Sequence, residues 1–261
     1  MNALLVILLL MPSTGGDNYE EANRLFQKQQ FTAAAEALDR ALKENPNYTP
    51  AWTLRGKIAM AFNRFDVARE AFLKAVRLDP ASAQARFMLG FFYYVDNDFR
   101  KAVPELKEAA RLNPKDPRAL LYLAMSEEGL ARPEAAVEIC RKTIELETAG
   151  GKPNPETHTA YGRLLFALGR YEESAREVAR VLQLDPESRD GHYELGRLAF
   201  EKNDFALAAA EGEKALHAQG LGTTGRQIHF LLARSYSKLG KKDLAEAHRA
   251  QFEASPPTLR R

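Results

Sequence analysis

The stretch VRLDPA at Val76–Ala81 decides the fold, because close variants of it recur along the chain. The variants share a run that ends in Asn-Pro or Asp-Pro, and they read LKENPN at 42–47, ARLNPK at 110–115 and LQLDPE at 182–187. Three of the prolines lie 34 residues apart, and a fourth follows two windows later with four residues to spare: Pro46, Pro80, Pro114 and Pro186. Self-similarity at this period indicates stacked structural repeats rather than a single globular core.

Windows of 34 residues, set so that the recurring proline is the thirty-second place, align the rest of the chain. They open at Gly15, Thr49, Ala83, Pro117, Pro155, Arg189 and Arg226. The fifth window follows a four-residue insertion, GKPN at Gly151–Asn154, and the seventh follows three extra residues. The insertion is open to three interpretations: a bend in the array, a loop presented to a partner, or a division of the array into two stiff blocks.

Two places in every window hold small residues. The eighth place reads Ala22, Gly56, Gly90, Ala124, Gly162, Gly196 and Ala233. The twentieth place reads Ala34, Ala68, Ala102, Ala136, Ser174, Ala208 and Ala245. A larger side chain between two closely packed helices causes overpacking that costs about 1–3 kcal/mol. These two columns therefore predict a pair of helices in close contact within each window.

An aromatic residue opens the second helix of most windows, at the seventeenth place, after a turn-forming Asn or Gly in several of them. The aromatic residues are Phe31, Phe65, Phe99, Tyr171 and Phe205, with Pro133 and Lys242 at this place in the other two windows. The residue before a proline avoids helical backbone. We therefore expect the second helices to end at Asn45, Asp79, Asn113 and Asp185.

These columns resemble the tetratricopeptide repeat family, which has small residues at two fixed places, an aromatic residue between them and a closing proline. The fourth window matches less well because Thr148 replaces the proline, and the seventh has Lys242 and Arg249 at apolar places. The resemblance implies an all-α, right-handed superhelical solenoid of about seven helix-turn-helix repeats. We place the solenoid at 17–253, with a flexible tail at 254–261 and repeats at 15–48, 49–82, 83–116, 117–150, 155–188, 189–222 and 226–253.

The first 16 residues differ from the repeats, because Ala3–Met11 is an unbroken apolar run, ALLVILLLM. A run of this length matches the apolar part of a signal peptide and is too short to span a bilayer as a helix. We expect a leader at 1–16 with cleavage before Asp17, and hence an exported, periplasmic or envelope-bound protein. The alternatives to a signal segment are an anchor stub, a mis-set start codon or an extra helix packed on the first repeat. A cytoplasmic location is the alternative to export. Contact with a membrane is expected only through an uncleaved leader.

Composition narrows the classes of partner. The formal net charge is only +2 with acidic and basic residues interleaved, so no strong positive field exists to attract nucleic acid. One cysteine, Cys140, excludes an intramolecular disulfide and a multi-cysteine zinc site. No nucleophile triad, phosphate loop or zinc-protease motif is present, so we expect no enzyme activity, no cofactor and no small-molecule substrate.

Three of the five histidines, His158, His192 and His229, share the fourth place of their windows. Equivalent places in stacked hairpins lie about 8–10 Å apart. A single metal ion with ligand distances of about 2 Å cannot join them. We therefore predict a packing role between repeats for this column, which also holds Trp52, and no metal site. We predict a solvated role for His217 and His248 and a buried apolar role for Cys140.

The family resemblance also implies a groove lined by the first helices, in which related proteins hold an extended or helical peptide. Its lining comes from the second, fifth, ninth, twelfth and thirteenth places. The candidate groove residues in this chain are Tyr19, Asn23, Phe26, Lys57, Met60, Phe87, Phe91, Tyr94, Leu121, Met125, Arg163, Phe166, Tyr193, Arg197, Phe200, Phe230 and Arg234.

These residues predict a non-catalytic protein-interaction scaffold that binds a peptide segment. The first four windows supply aromatic and Met side chains, and the later windows supply Arg163, Arg197 and Arg234, which favour acidic residues or a carboxylate terminus. In the competing interpretation the aromatic rings fill gaps between hairpins and the arginines pair with neighbours such as Glu194 or Glu201. A regulatory or docking subunit of an enzyme or an envelope assembly complex is the alternative function.

Overall fold

A computed structural model describes residues 16–220 and 222–255, and within these ranges the chain is an all-α repeat solenoid without strands. The expected leader, apart from its last residue, and the expected tail from residue 256 onward lie outside the described residues. The helices are α1 Gly16–Gln27, α2 Phe31–Glu44, α3 Thr49–Ala61, α4 Phe65–Leu78, α5 Ala83–Val95, α6 Phe99–Leu112, α7 Pro117–Gly129, α8 Pro133–Ala149, α9 Pro155–Ala167, α10 Tyr171–Leu184, α11 Arg189–Glu201, α12 Phe205–His217, α13 Gly225–Lys238 and α14 Lys242–Ala254.

Each window holds one pair of these helices, joined by a tight turn. The fifteenth place of every window has a positive φ, which supplies the left-handed residue that reverses the chain: Gln29, Asn63, Asn97, Ala131, Gly169, Asn203 and Gly240. Asn and Gly adopt this conformation readily, whereas Gln and Ala adopt it at a steric cost. The turn-forming residues of the sequence are therefore confirmed as the reversal points, and Gln29 and Ala131 keep the turn despite unfavourable side chains.

The two small-residue columns lie where the helices of a pair approach each other. Every member of both columns is buried. In the pair α9 and α10 the contact is direct, because Ser174 Oγ donates a hydrogen bond to the carbonyl oxygen of Gly162 at 2.8 Å. The predicted close contact within each window is confirmed.

The helix ends follow the recurring Asn-Pro and Asp-Pro pairs. Asn45, Asp79, Asn113 and Asp185 are the C-terminal capping residues of α2, α4, α6 and α10, as predicted. At three of these prolines the carbonyl oxygen then contacts the side chain at the fourth place of the next window. Trp52 Nε1 lies 2.7 Å from the Pro46 oxygen, and Arg86 Nε lies 2.9 Å from the Pro80 oxygen. His192 Nε2 lies 2.9 Å from the Pro186 oxygen. Each such bond fixes the entry of one hairpin onto the preceding one.

The structure forms two compact units, one up to Ala119 and one from Leu120 onward, so that the division falls near the start of α7. In the first unit a buried apolar cluster joins α1, α2 and α3. In the second unit one cluster joins α7, α8 and α9, and another joins α11, α12 and α13.

The insertion at 151–154 lies inside the second unit and is tied to the end of α8. The amide of Lys152 donates to the backbone oxygen of Glu147 at 2.9 Å. The buried Glu147 carboxylate accepts a hydrogen bond from Thr157 Oγ1 at 2.7 Å and one from the backbone N–H of Asn154 at 3.3 Å. The Glu147 carboxylate thus links the insertion to α8 and α9, and the boundary between the two compact units lies between residues 119 and 120 rather than at the insertion.

Across 16–220 and 222–255, none of the helices combines the length and the apolarity that a membrane span requires.

Candidate protein-binding surfaces

The candidate groove residues lie on the odd-numbered helices, which contact one another within each unit. We call the side of these helices that carries the fifth, ninth and twelfth places the first-helix face. In the first unit this face holds Tyr19, Asn23 and Phe26 on α1, Lys57 and Met60 on α3, and Phe87, Phe91 and Tyr94 on α5. In the second unit it holds Leu121 and Met125 on α7, Arg163 and Phe166 on α9, Tyr193, Arg197 and Phe200 on α11, and Phe230 and Arg234 on α13.

Aromatic rings dominate the first-helix face of the first unit. Phe87 and Phe91 stack with centroids 6.2 Å apart, and Phe91 and Tyr94 continue the row at 6.5 Å. Phe87 is buried, whereas Phe91 and Tyr94 are half-buried. The Lys57 ammonium lies 4.8 Å from the ring centroid of Phe26.

A cavity of about 360 Å³ that is lined largely by aromatic rings belongs to the second unit and is described below. A smaller cavity of about 270 Å³ belongs to the first unit. The smaller cavity is lined partly by the candidate residues Tyr19, Asn23 and Lys57, and also by Arg118 from the start of α7. Burial and the nearby Arg118 lower the pKa of Lys57. The sequence alone did not place Arg118 here, although it occupies the second place of its window, one of the places from which the resemblance draws the groove lining.

The three arginines of the second unit have different surroundings. Arg163 makes two hydrogen bonds to the Glu128 carboxylate, at 3.1 and 2.6 Å. Arg197 donates from one nitrogen to both carboxylate oxygens of the buried Glu194, at 3.0 and 2.7 Å. Burial raises the pKa of Glu194, and the neighbouring guanidinium groups oppose that shift. The expected pairing of an arginine with Glu194 is confirmed for Arg197.

Arg234 is different, because it has no carboxylate partner among residues 16–220 and 222–255. Its guanidinium carbon lies 4.2 Å from the ring centroid of Phe200 and 5.4 Å from that of Phe230. Arg197 repeats this arrangement one pair earlier, 3.9 Å from the ring centroid of Phe166. A guanidinium group stacked on a ring keeps its N–H donors at the edge, where they can reach a partner.

Part of the aromatic surface also stabilises the hairpins. Rings at the twelfth and seventeenth places pair within one window, with centroids 5.2–6.0 Å apart: Phe26–Phe31, Tyr94–Phe99, Phe166–Tyr171 and Phe200–Phe205. Such pairs contribute about 0.5–1.5 kcal/mol beyond their buried area. These four contacts lie within single hairpins, so they do not test the interpretation that the rings fill gaps between adjacent hairpins.

The fourth-place column joins the two helices of a pair through the twenty-third place. Arg86 Nη1 lies 2.7 Å from a carboxylate oxygen of Glu105. Each histidine of the column contacts the residue 19 positions later in the same way: His158–Glu177 at 2.7 Å, His192–Glu211 at 2.7 Å and His229–His248 at 3.0 Å. These contacts lie within one window, whereas the prediction placed the packing between repeats; only the bonds to the prolines of the preceding windows, described above, have that character. The prediction of a solvated His248 is wrong, because its side chain is only 14% exposed and its Nε2 lies 3.3 Å from a Glu213 oxygen.

The remaining histidine, cysteine and carboxylate side chains are the other candidates for metal ligands or reactive groups in the described part of the chain. No group of three or more His, Cys, Asp or Glu side chains within it could hold a metal ion. Cys140 is buried as predicted, and burial raises the pKa of its thiol to about 12. His217 is exposed, as expected.

Comparison with known proteins identifies the repeat type. Residues 11–149, just over half of the 261 residues, match the family model described as the cytochrome c-type biogenesis protein H TPR domain. Residues 159–222 match a second model, described as tetratricopeptide repeat. Human tetratricopeptide repeat protein 6 is 24% identical over 195 residues, which cover 72% of this chain and 36% of that protein. The chain spans about a third of the length of the curated relatives it matches.

Solved structures share the fold at low identity. A tetratricopeptide repeat protein from Parabacteroides merdae has a TM-score of 0.73 and 16% identity, with 95% of both chains covered. YrrB, described as a TPR protein with an unusual peptide-binding site, has a TM-score of 0.59 and 22% identity over 78% of this chain and 99% of its own. Since one repeat model matches more than half of its residues and a second matches a later part, the chain belongs to the tetratricopeptide repeat family.

Proposed function

We propose that the chain is a non-catalytic scaffold that binds a segment of a partner protein on its first-helix faces. Tetratricopeptide repeat proteins bind protein partners and are in general non-catalytic interaction scaffolds. The observation that carries the proposal is the repeated stack of Arg197 on Phe166 and Arg234 on Phe200 at equivalent places of α9, α11 and α13.

This repetition favours binding because it presents ordered donors at a regular spacing. An arginine side chain that already lies flat on a ring loses little conformational freedom when a partner carboxylate or carbonyl arrives. Arg197 keeps about a quarter of its side-chain surface exposed, and Arg234 is exposed. A partner segment lying across both helices would meet one guanidinium group per repeat.

The internal ion pairs of the arginines determine which of them can select an acidic partner. Arg163 and Arg197 already hold Glu128 and Glu194, so a partner carboxylate must compete with internal ones at these two places. Arg234 has no such competitor among the described residues and contributes most to acidic selectivity in this proposal. In the first unit, the half-buried rings of Phe91 and Tyr94 offer contact area for apolar anchors of a partner.

The test begins with crosslinking in the native host and identification of the crosslinked partner by mass spectrometry. The partner is then bound to purified wild-type chain, to an Arg197→Glu, Arg234→Glu double variant, and to Arg176→Glu as a control. Arg176 is an exposed arginine on the even-numbered helix α10, so its replacement changes charge without changing the first-helix face.

We expect the double variant to bind at least tenfold more weakly, with an unchanged helical circular-dichroism spectrum, and the control to bind like wild type. Equal affinity for the wild type and the double variant refutes the arginine surface as the binding site.

We also propose export from the cytoplasm, supported by the apolar run at Ala3–Met11 and the small residues that follow it. Mass spectrometry of the mature amino terminus tests this point: a chain that begins at Asp17 supports export, and a chain that retains Met1 contradicts cleavage.

A further inference from the structure

We infer that a cavity between α11, α13 and α14 is a binding subsite for an acidic peptide segment that places an apolar side chain next to a carboxylate. The inference rests on the proposed scaffold function and assigns part of the partner chemistry to a defined place. The cavity has a volume of about 360 Å³. Its lining residues are Phe200, Phe230, Ala233, Arg234, Ser237, Lys238, Arg249, Phe252 and Glu253.

The apolar part of the cavity is made of three phenylalanine rings. Phe200 is buried, Phe230 is 46% exposed, and Phe252 is half-buried with its ring centroid 5.3 Å from that of Phe230. An aromatic surface that remains this exposed is available to an apolar side chain of a partner.

Phe252 is unusual for its place in the repeat. It stands at the twenty-seventh place, which the other six windows fill with smaller, buried residues: Ala41, Ala75, Ala109, Thr143, Val181 and Ala215. A phenylalanine here departs from the column and remains partly exposed instead of entering the core.

The Phe252 ring is nevertheless held in place. The guanidinium carbon of Arg226 lies 3.9 Å from the ring centroid, and Nη1 of Arg226 donates to the carbonyl oxygens of Phe252 at 2.9 Å and Ser255 at 2.6 Å. Because the ring is already ordered, a ligand that contacts it does not have to order it.

The charged part of the cavity favours an anion. Three cationic side chains and one carboxylate line the cavity: Arg234, Lys238, Arg249 and Glu253. Within 16–220 and 222–255, none of these four side chains takes part in an ion pair. The lining therefore carries an excess of positive charge beside exposed rings, which is complementary to an acidic residue with an apolar neighbour.

The size and charge of the cavity limit its occupant. A volume of about 360 Å³ lies at the low end of ligand sites, which span about 300–1,000 Å³, so it suits one or two residues of a peptide. The chain's own segment at 256–261 reads PPTLRR, with two arginines and no acidic residue, and its charge opposes entry into a cationic cavity.

Selection from a phage-displayed library of random dodecapeptides tests the inference. The targets used in parallel are the full-length wild type, Phe252→Ala, Arg249→Glu, Arg197→Glu, a chain without residues 256–261 and the control Arg176→Glu. Light scattering compares self-association of the wild type and Arg249→Glu. We expect peptides with an aromatic or aliphatic residue next to Asp or Glu to be enriched on the wild type and the control. Their enrichment should fall at least tenfold on both cavity variants, which are checked for folding by circular dichroism.

Each outcome is assigned in advance. Equal enrichment on Phe252→Ala and the wild type, the absence of any enriched peptide, or enriched peptides without acidic residues overturns the subsite. Enrichment that appears only after removal of residues 256–261 assigns the cavity to the chain's own segment. Self-association that Arg249→Glu abolishes assigns the cavity to a second copy of the chain. Either outcome overturns the inference. Enrichment that depends on Arg197 but not on Phe252 leaves the scaffold function in place and removes only the subsite.

Discussion

Replacement of Gly56 by alanine should destabilise the first unit, because the eighth place of the second window has no room for a methyl group. A Cβ built on Gly56 lies 2.3–2.6 Å from three ring atoms of Phe72. Phe72 is fully buried and packs near Phe92, with ring centroids 6.1 Å apart, so its ring cannot move without disturbing the core.

The magnitude follows from two opposing effects. Alanine is about 1 kcal/mol more favourable than glycine inside a helix, and Gly56 lies in the interior of α3. Overpacking of a core costs about 1–3 kcal/mol, and three close ring contacts place this substitution near the upper end of that range. We therefore expect a net loss of about 2 kcal/mol in the free energy of unfolding.

Gly162→Ala is the matched control, because it stands at the same place of the fifth window in the interior of α9. There the added Cβ has its nearest neighbour, Val178 Cγ2, at 3.4 Å, an ordinary contact distance. The helix preference is then unopposed, and we expect a gain of about 1 kcal/mol. The same chemical change at equivalent places should thus have opposite signs.

Urea unfolding followed by circular dichroism measures both changes, and hydrogen exchange of the α3 and α9 amides assigns each to its unit. A loss of 2 kcal/mol corresponds to a fall of about 4–8 °C in melting temperature for a chain of this size. The reasoning is refuted if Gly56→Ala is as stable as the wild type, or if Gly162→Ala loses as much stability as Gly56→Ala.

Three further predictions concern His229, Glu147 and Cys140. Burial and the neighbouring His248 lower the pKa of His229 below its ordinary value of 6.5, so the associated stability is present above pH 6.5 and is lost as the pH falls through the lowered pKa. Urea unfolding at pH 7.5 and pH 5 should show this loss in the wild type, and an equal loss in His229→Gln contradicts the prediction. Glu147→Ala should cost about 1–3 kcal/mol because the buried Thr157 hydroxyl loses its acceptor, and Glu147→Gln, which keeps an acceptor oxygen, should lose less in the same assay. With the thiol pKa of Cys140 at about 12, labelling of the native protein by a disulfide reagent at pH 8 should proceed only at the rate of unfolding; complete labelling within seconds would argue against the burial.

The helix pairs and their ends could be predicted because their determinants are local. The left-handed turn at Asn63, the small residue at Gly56 and the helix end at Asp79 each depend on residues within one window. Backbone preferences and close helix contacts act over a few residues or between two adjacent helices, so a repeated pattern reveals them.

The candidate site was less predictable, because the surroundings of Arg163 and Arg234 depend on residues distant in sequence, whereas the pairing of Arg197 with Glu194 is local and was expected. Arg163 pairs with Glu128, which lies 35 residues earlier, and the sequence assigned it the same role as Arg234. The error on His248 has the same origin, since its contact with His229 crosses from α14 to α13. Phe252 was visible in the sequence as a large residue in a column of small ones, and that signal could have indicated the cavity.

The sequence by itself determined the repeat, the helix pairs and the face on which the candidate residues lie, since side-chain period and backbone preference are properties of short segments. Tertiary structure alone decided which charges are neutralised, which rings remain exposed and where a cavity opens. Those properties depend on burial and on distances between side chains of different helices, which the chain sets only when the pairs pack together.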